Sequence, residues 1–406
     1  MQGQKRVKVA IIGIGGYGTI ILQFLNQISP EKYVIAAADP YAKQAENYDN
    51  LIKMGVAIYS SQKELYEKHK VDLTIIASPI ALHKEQVILA FEHGSHVMCE
   101  KPLVPTVQDA MELDTLQKQY KRMLAVGFQW SFSPTMLALK KDIQMGNLGK
   151  PLSLRSFIPW KRYDEYYNDS WKGRLYGTGG NWMLDCVVTN ATAHYLHNML
   201  FLMGEKMDEA ALPVELFSSA YRFKEIETFD TCFLKGTFKN GCDMYFCASH
   251  STDIDDTPQV IYEFEDGRVY MNRYDRESQV VLHRRDGTLK IYGKPQSIEE
   301  GAYKVKTMID YCLEPQTSVP CVLKTILPHL QICNSMFDDA PIYSLETSRA
   351  FKEENPAGSF IWKLYDEMHA CYESSILPFS AKMPWAKEEI QIHPENMTQF
   401  TGKLFI

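Results

Sequence analysis

Residues 7–18 read VKVAIIGIGGYG, an apolar run that passes directly into a glycine-rich turn. The continuous run over 7–12 predicts a strand that is buried on both faces, as in a parallel sheet. Residues 19–28 follow with apolar side chains at helical spacing, which predicts a helix directly after the turn. A Gly-x-Gly-x-x-Gly turn between a strand and a helix is typical of a dinucleotide-binding site.

The turn and the next strand end supply the predicted cofactor contacts. The turn residues are Gly13, Ile14, Gly15, Gly16, Tyr17 and Gly18. Gly13 allows the tight turn, Gly15 lets the backbone approach a pyrophosphate, and Gly18 permits close packing of helix on strand. Asp39 lies 21 residues after Gly18, where a carboxylate accepts hydrogen bonds from ribose hydroxyls and repels a 2′-phosphate. We therefore expect NAD, in preference to NADP, as the cofactor.

Strand and helix patterns alternate through the first 130 residues. Further strands are predicted at 33–38, 73–77, 96–99 and 124–126, and helices at 61–70, 82–93 and from 106 onward. This alternation predicts an α/β Rossmann domain with a doubly wound parallel sheet, because β-α-β units join parallel strands by right-handed crossovers. We assign residues 1–130 to it.

The pattern changes in residues 131–406. Alternating runs separated by Asn240-Gly241, Asp266-Gly267 and Asp286-Gly287 predict hairpins. Helices are predicted at 185–203, 299–313, 322–337 and 360–372. We expect an α+β domain with a large, mostly antiparallel open sheet, followed by a C-terminal extension.

Composition restricts the class of partner. The chain has 406 residues and a formal net charge of −7, which disfavours nucleic acid and anionic membranes as partners. Nine cysteines occur without a Cys-x-x-Cys pair, as expected for reduced thiols in the cytoplasm. We expect no signal peptide and no metal site.

A second motif carries the chemistry. Residues 96–102 read HVMCEKP, so that Lys101 follows a short apolar strand. Open α/β sheets bind their ligands beyond the carboxyl ends of the strands. A lysine that is desolvated at such a position has a lowered pKa and can exchange a proton with an alcohol. The alternative is a structural lysine paired with Glu100.

Together with Ser78-Pro79, His83 and Gly179-Gly180 followed by Asp185, these motifs resemble the Gfo/Idh/MocA family of oxidoreductases. The resemblance implies NAD(P)-dependent oxidation or reduction of a sugar, polyol or related hydroxyl compound. It places Lys101 at the substrate hydroxyl. It places Ser78, Pro79, His83, Glu100 and Lys101 beside the cofactor. It also implies a homodimer or homotetramer formed through the open face of the second sheet.

The sequence departs from the family pattern in two places. Many relatives carry Asp-x-x-x-His, whereas here Asp185 is followed four residues later by Thr189. His194 is a candidate substitute, but on a regular helix it would face away from Asp185, because nine residues correspond to about 180°. It could act only if the helix began late and left Asp185 on a turn. The second departure is Ile80, where relatives often have asparagine.

An aromatic and basic segment is the predicted substrate loop. It spans 159–174 and includes Arg162, Tyr166 and Trp171. Aromatic rings stack on sugar faces, and a guanidinium can hold hydroxyls or a carboxylate. We group these residues with Thr189 as substrate-binding candidates. Packing of the loop against the sheet or a neighbouring subunit is the alternative.

Three functions stay open at this point. The first is an NAD-dependent oxidoreductase that acts on a secondary alcohol of a sugar, polyol or sugar acid, with Lys101, Asp185 and His194 as catalytic candidates. The second is an enzyme that retains NAD and cleaves a glycosidic bond without net oxidation. The third is a non-catalytic dinucleotide sensor or regulator.

Overall fold

The computed structural model describes residues 6–28, 33–168, 171–177, 179–271, 279–345 and 348–404. The strands of its N-terminal part are β1 (Val9–Ile12), β2 (Val34–Ala38), β3 (Ala57–Tyr59), β4 (Leu73–Ile76), β5 (His96–Cys99) and β6 (Leu124–Val126). The helices are α1 (Tyr17–Asn26), α2 (Tyr48–Lys53), α3 (Gln62–Lys68), α4 (His83–Glu92) and α5 (Val107–Tyr120).

These six strands form one parallel sheet in the order β3-β2-β1-β4-β5-β6. The predicted Rossmann topology is confirmed, and β5 and β6 have the predicted bounds. Ser61 caps α3 by accepting a hydrogen bond from the Glu64 N–H at 3.2 Å. The sequence analysis did not identify α2 or β3. The strand β3 has three residues, all half-buried, which is too short for a periodic signal.

The second half begins with a helix and builds a larger sheet. Its first elements are α6 (Pro134–Gln144), β7 (Pro151–Pro159), α7 (Ala193–Leu202), β8 (Glu215–Arg222), β9 (Thr231–Thr237), β10 (Asp243–Ser249), β11 (Gln259–Phe264), β12 (Gly267–Met271), β13 (Val280–Arg284) and β14 (Leu289–Gly293). All three predicted hairpins are present, as β9–β10, β11–β12 and β13–β14. The remaining elements are α8 (Ile298–Gly301), α9 (Tyr303–Leu313), α10 (Leu323–Asp338), β15 (Ile342–Ser344), β16 (Ala350–Glu354), β17 (Ala357–Ile361), α11 (Leu364–Ser374) and β18 (Ile390–Gln391).

The large sheet is mixed and mostly antiparallel, as predicted. Its order is β14-β13-β12-β11-β7-β10-β9-β8-β15, with β18 paired to β8. The pairs β7–β10 and β8–β15 are parallel. The hairpin β16–β17 stands apart from this sheet and was not predicted.

By its internal contacts the chain divides into two units. The first comprises Met1–Val104, Gln108–Pro134 and Gln296–Ile326, and the second comprises Pro105–Val107, Thr135–Pro295 and Leu327–Ile406. The predicted division at residue 130 stays a prediction. In these units the segment with α8 and α9 returns to the first unit, and Pro105–Val107 lies in the second. Close packing of Gly301 on the Phe24 ring, where a Cβ would lie 2.3 Å from a ring carbon, explains part of this return.

The predicted helix over 185–203 is wrong at its start, because α7 begins only at Ala193. Side-chain hydroxyls bind backbone groups in the preceding turns and compete with helix formation. Thr189 Oγ1 donates to the Leu184 carbonyl at 3.1 Å and accepts from the Cys186 N–H at 2.9 Å. The Thr192 hydroxyl donates to the Val187 carbonyl. Asp185 consequently lies on a non-helical turn.

The chain's own C-terminal segment covers part of the large sheet. In β7, Ser156 donates to the Met199 sulfur of α7, whereas the Phe157 ring stacks on Tyr372 of α11 at 5.6 Å. Successive residues of a strand point to opposite faces, so both faces of β7 are covered. The buried cluster beneath α11 also includes Trp385. The C-terminal extension therefore covers part of one face of this sheet.

Candidate functional site

The glycine-rich turn has the backbone geometry that its sequence predicts. Gly13 has a φ of +83°, and a Cβ on Gly18 would lie 2.3 Å from the Gly13 carbonyl oxygen. Side chains at these two positions would strain the turn or separate α1 from β1. A Cβ on Gly15 would meet no atom within 4 Å. The turn is therefore close-packed on the protein side and open beside Gly15.

Asp39 follows β2 and is tied to the turn. One carboxylate oxygen accepts the Ile14 N–H at 3.0 Å, and the other accepts the Tyr41 N–H at 2.8 Å. Each carboxylate oxygen has a second acceptor position, so Asp39 can also accept from a ribose hydroxyl. Its position beside the turn matches the predicted role.

The start of α1 has no side-chain cap. Its N-cap residue is Gly16, and no side-chain hydrogen bond caps the helix there. A helix N-terminus offers N–H groups and a positive dipole end to phosphate. Tyr17 begins the helix and donates its hydroxyl to Gln129 at 2.9 Å. Burial raises the pKa of Tyr17, so the hydroxyl stays protonated.

His83 joins two loops of the first unit. Its Nε2 lies 2.8 Å from the Ser78 carbonyl oxygen, and its Nδ1 lies 2.9 Å from the Pro102 carbonyl oxygen. The side chain is 1% exposed, and burial lowers its pKa. His83 therefore fastens the Ser78-Pro79 turn to the segment after Lys101. Ile80, at the second departure from the family pattern, is buried.

Glu100 is paired with a residue that sequence reasoning missed. Its carboxylate accepts from Lys304 Nζ of α9 at 2.5 Å, and both side chains are buried. Burial opposes the charge on Lys304, but Glu100 and Tyr17 outweigh it and raise the pKa of this lysine. A Cβ on Gly127 would lie 2.6 Å from a Glu100 carboxylate oxygen. Glu100 is thus held from two sides, immediately before the half-buried Lys101.

In the second unit, Asp185 organises the turns before α7. Its carboxylate accepts the Gly173 N–H at 2.7 Å and the Asn190 amide at 3.0 Å. It is 3% exposed. Asp185 therefore connects the predicted substrate loop to the segment that precedes α7. The neighbouring Cys186 is buried, which raises the pKa of its thiol to about 12 and makes it a poor nucleophile.

The candidates on α7 lie in different surroundings. His194 is the second residue of α7 and is half-buried. His197 is 1% exposed, and burial, with His329 and Lys140 nearby, keeps its pKa well below the usual value. The Thr189 hydroxyl forms hydrogen bonds with the backbone of Leu184 and Cys186. Thr189 therefore has a structural role, and its role in substrate binding stays a prediction.

The predicted substrate loop gathers cations over aromatic rings. The Arg162 guanidinium carbon lies 5.3 Å from the Trp160 ring centroid and 5.1 Å from that of Tyr166. Lys172 Nζ lies 4.3 Å from the Tyr166 centroid and 5.5 Å from that of Trp171. The structure thus brings Arg162, Tyr166 and Trp171 into one cluster of alternating cations and rings.

Sequence reasoning also missed a buried histidine beside this cluster. His250 follows β10 and is 2% exposed. Its Nδ1 lies 2.7 Å from the Tyr167 hydroxyl, and its carbonyl accepts the Arg162 N–H at 3.0 Å. A histidine after a strand of the second half, next to a Ser-Thr pair, gave no recognisable motif.

Two kinds of feature are absent from the described residues. Over these parts of the chain, no group of three or more His, Cys, Asp or Glu side chains has an arrangement suited to a metal ion. Within the same ranges, no helix combines the length and apolar character that crossing a bilayer requires.

The first unit is a dinucleotide-binding Rossmann domain by both fold and turn geometry. Residues 7–128 match the model of the Gfo/Idh/MocA family, described as an oxidoreductase family with an NAD-binding Rossmann fold. This segment is therefore similar to the NAD-binding domain of that family. The match confirms the family resemblance and the predicted cofactor class, and the open space beside Gly15 and the carboxylate of Asp39 fit that cofactor.

Curated relatives match at modest identity. The inositol 2-dehydrogenase of Klebsiella pneumoniae subsp. pneumoniae is 28% identical over 200 residues, which cover 49% of this chain and 55% of that protein. The 2,7-anhydro-N-acetylneuraminate hydratase of Mediterraneibacter gnavus is 27% identical over 319 residues, which cover 69% of this chain and 83% of that protein. The match thus spans about half the length of the inositol dehydrogenase and most of the hydratase.

Solved structures share the two-part fold. An oxidoreductase from Agrobacterium radiobacter, solved with NAD+, L-tartaric acid and magnesium, has a TM-score of 0.66 at 15% identity and covers 82% of this chain and 95% of its own. An NAD-binding oxidoreductase from Klebsiella pneumoniae has a TM-score of 0.65 at 20% identity, with 81% and 95% covered. At these identities the likeness establishes the fold.

Proposed function

We propose that this chain is an NAD-dependent oxidoreductase that transfers a hydride between nicotinamide and a secondary alcohol of a sugar, polyol or sugar acid. The observation that carries the proposal is the placement of Lys101 just beyond the carboxyl end of β5, in a parallel sheet whose β1–α1 turn has the glycine geometry of a dinucleotide site. The inositol dehydrogenases among the relatives support this substrate class.

In the proposed reaction one residue would transfer a proton and others would position it and the substrate. Bound NAD supplies the hydride acceptor. Lys101 would take or return the proton of the reacting hydroxyl, and Glu100, held by Lys304, would keep the lysine's backbone in place. Asp185 would orient the substrate loop through its bond to Gly173.

His194 stays a proposed catalytic residue. The sequence analysis required a late helix start for any such role, and α7 does begin late, at Ala193. This start leaves Asp185 outside the helix and removes the geometric objection to His194. Arg162, Tyr166 and Trp171 would contact the substrate, and Thr189 would shape the turn beside them.

The test measures binding before turnover. Calorimetry with NAD(H) and NADP(H) should give saturable binding with a preference for NAD. Absorbance of reduced nicotinamide across a panel of sugars, polyols and sugar acids should then rise with a subset of them. Binding of NAD without net reduction on any member would contradict the proposal.

The hydratase among the relatives favours one alternative. Hydration involves no net oxidation, and this relative covers more of the chain than the dehydrogenase does. An enzyme that retains NAD and returns the hydride to its substrate would release product without accumulating NADH. Product analysis by chromatography in the same assays separates the two. A sensor would bind NAD and yield neither NADH nor product.

A further inference from the structure

In the second unit, Arg162 has no anionic partner among the described residues, whereas three nearby cations have an anionic or carbonyl partner. Lys161 pairs with Glu353 at 2.6 Å, and Arg174 pairs with Glu227 at 2.8 Å. Lys224 Nζ donates to the Ser359 carbonyl at 2.5 Å. The polar contact of the Arg162 side chain is a long one, from Nη1 to the Lys161 carbonyl at 3.4 Å.

The Arg162 fork is nevertheless held in place. Its guanidinium lies between the Trp160 and Tyr166 rings, and its Nε is buried without a hydrogen-bond partner among the described residues. A buried donor left unsatisfied costs free energy. An arginine fork that is oriented by rings matches a carboxylate in a bidentate geometry.

His250 adds a second donor beside Arg162. Burial, with Arg162 and Lys224 nearby, keeps the pKa of His250 well below its usual value, so the ring is neutral. Burial also raises the pKa of Tyr167 far enough that its hydroxyl keeps its proton. The Tyr167 hydroxyl lies 2.7 Å from His250 Nδ1, and Nε2 is buried with no partner among the described residues. In the tautomer in which the Tyr167 hydroxyl donates to Nδ1, the ring hydrogen is on Nε2 and is available to an acceptor.

Three nearby carboxylates do not pair with Arg162 in the described structure. Asp230 accepts four hydrogen bonds, from the Phe223 and Lys224 N–H groups and the Thr231 and Ser251 hydroxyls. Asp164 and Glu165 are exposed, and neither forms an ion pair with Arg162 in the described structure. Among its described residues, the cluster is therefore rich in donors and poor in acceptors.

We infer that this cluster binds the carboxylate of the substrate, with Arg162 as the anchoring fork and His250 Nε2–H, held by Tyr167, as a supporting donor. This inference rests on the proposed function and narrows its substrate class to sugar acids. A sugar phosphate would present a similar anion, but a single arginine and one neutral N–H suit the lower charge of a carboxylate.

Matched pairs of ligands test the inference. Calorimetry in the presence of saturating NAD compares glucuronate with glucose, galacturonate with galactose and gluconate with glucitol, and glucose 6-phosphate is the phosphate probe. At least one acid should bind roughly 10- to 100-fold more tightly than its neutral partner. Equal affinity within every pair, or no saturable binding of any acid, would overturn the inference. Preference for glucose 6-phosphate would overturn its assignment to a carboxylate.

Variants separate the anchor from general effects. Arg162→Lys keeps the charge but removes the fork, and should lose most of the preference for the acid while NADH affinity is unchanged. Tyr167→Phe should lower acid affinity more modestly, by releasing the His250 ring. Arg268→Lys is the matched control, because Arg268 is exposed and already paired with Glu263 at 2.8 Å. An acid preference that survives Arg162→Lys would contradict the role of Arg162.

The readouts keep the two proposals apart. Arg162-dependent acid binding without NADH formation would refute the proposed oxidation and leave the carboxylate site standing. NADH formation from neutral polyols without any acid preference would support the oxidation and refute the carboxylate site.

Discussion

At the residue scale, two glycines of the turn, Gly15 and Gly18, lie in different surroundings. Gly18 is required by packing, because its Cα faces the Gly13 carbonyl oxygen. Gly15 has open space on its side-chain face, so packing does not require a glycine there, whereas the proposed approach of the cofactor would. Substitutions at the two positions should therefore affect different measurements.

Gly15→Ala should leave the free energy of unfolding within about 0.5 kcal/mol of the original protein. It should weaken NAD binding by roughly tenfold or more, about 1.4 kcal/mol, because the new methyl group occupies the approach of the pyrophosphate. Gly18→Ala should instead cost about 1–3 kcal/mol of stability. Urea denaturation and NAD calorimetry measure the two effects. Unchanged NAD affinity in Gly15→Ala would place the cofactor elsewhere.

Lys101 is the residue on which the proposed chemistry depends most. Lys101→Met should lower kcat by roughly 100- to 10,000-fold, because the proton of the alcohol loses its acceptor. The dissociation constant of NADH should stay nearly unchanged. Steady-state kinetics at several pH values and fluorescence titration of NADH give these quantities. Turnover that survives the substitution would remove Lys101 from the mechanism.

At the element scale, sequence patterns predicted those elements whose signals are local. The strand β5 and the cap of α3 were correct because apolar runs and capping residues act over a few positions. The start of α7 was wrong because the Thr189 and Thr192 hydroxyls bind the backbone in ways that periodicity does not register. The partner of Glu100 was missed because Lys304 lies about two hundred residues away along the chain.

The helix α9 should contribute to the stability of the first unit through the buried ion pair between Lys304 and Glu100. Lys304→Met leaves the Glu100 carboxylate buried and unpaired, and should cost about 3–5 kcal/mol of unfolding free energy. Combining it with Glu100→Gln should restore much of that loss. Lys306→Met on the same helix is the control, because the pair with Asp310 is exposed and worth about 0–1 kcal/mol. Equal losses in Lys304→Met and Lys306→Met would contradict this account of α9.

The helix α11 should stabilise the large sheet by covering it. Leu364 is fully buried in the cluster with Phe157, so Leu364→Ala should cost about 2–5 kcal/mol in urea denaturation. Trp362, two residues earlier, is 57% exposed, and Trp362→Ala should change the stability by less than about 0.5 kcal/mol. A small effect at Leu364 would mean that the C-terminal extension is not part of the folded core.

At the scale of the whole molecule, three buried histidines should make stability depend on pH. They are His83 in the first unit and His197 and His250 in the second. Burial lowers the pKa of each below the usual 6.5. Below about pH 6.5 the unfolded chain therefore binds protons that the folded chain does not, and stability falls as the pH falls.

The slope should reach at most about 1.4 kcal/mol per pH unit for each histidine between about pH 6.5 and 5. This window lies above the pH range in which carboxylates of lowered pKa, such as Asp142 beside Lys290, take up protons, which is below about pH 4.

Urea denaturation at several pH values measures the slope. His250→Gln should reduce the slope by at most about 1.4 kcal/mol per pH unit, the contribution of one proton. A stability that is constant or rises on acidification through this window would show that the three rings take up protons in the folded protein, and would remove the neutral His250 on which the carboxylate site depends.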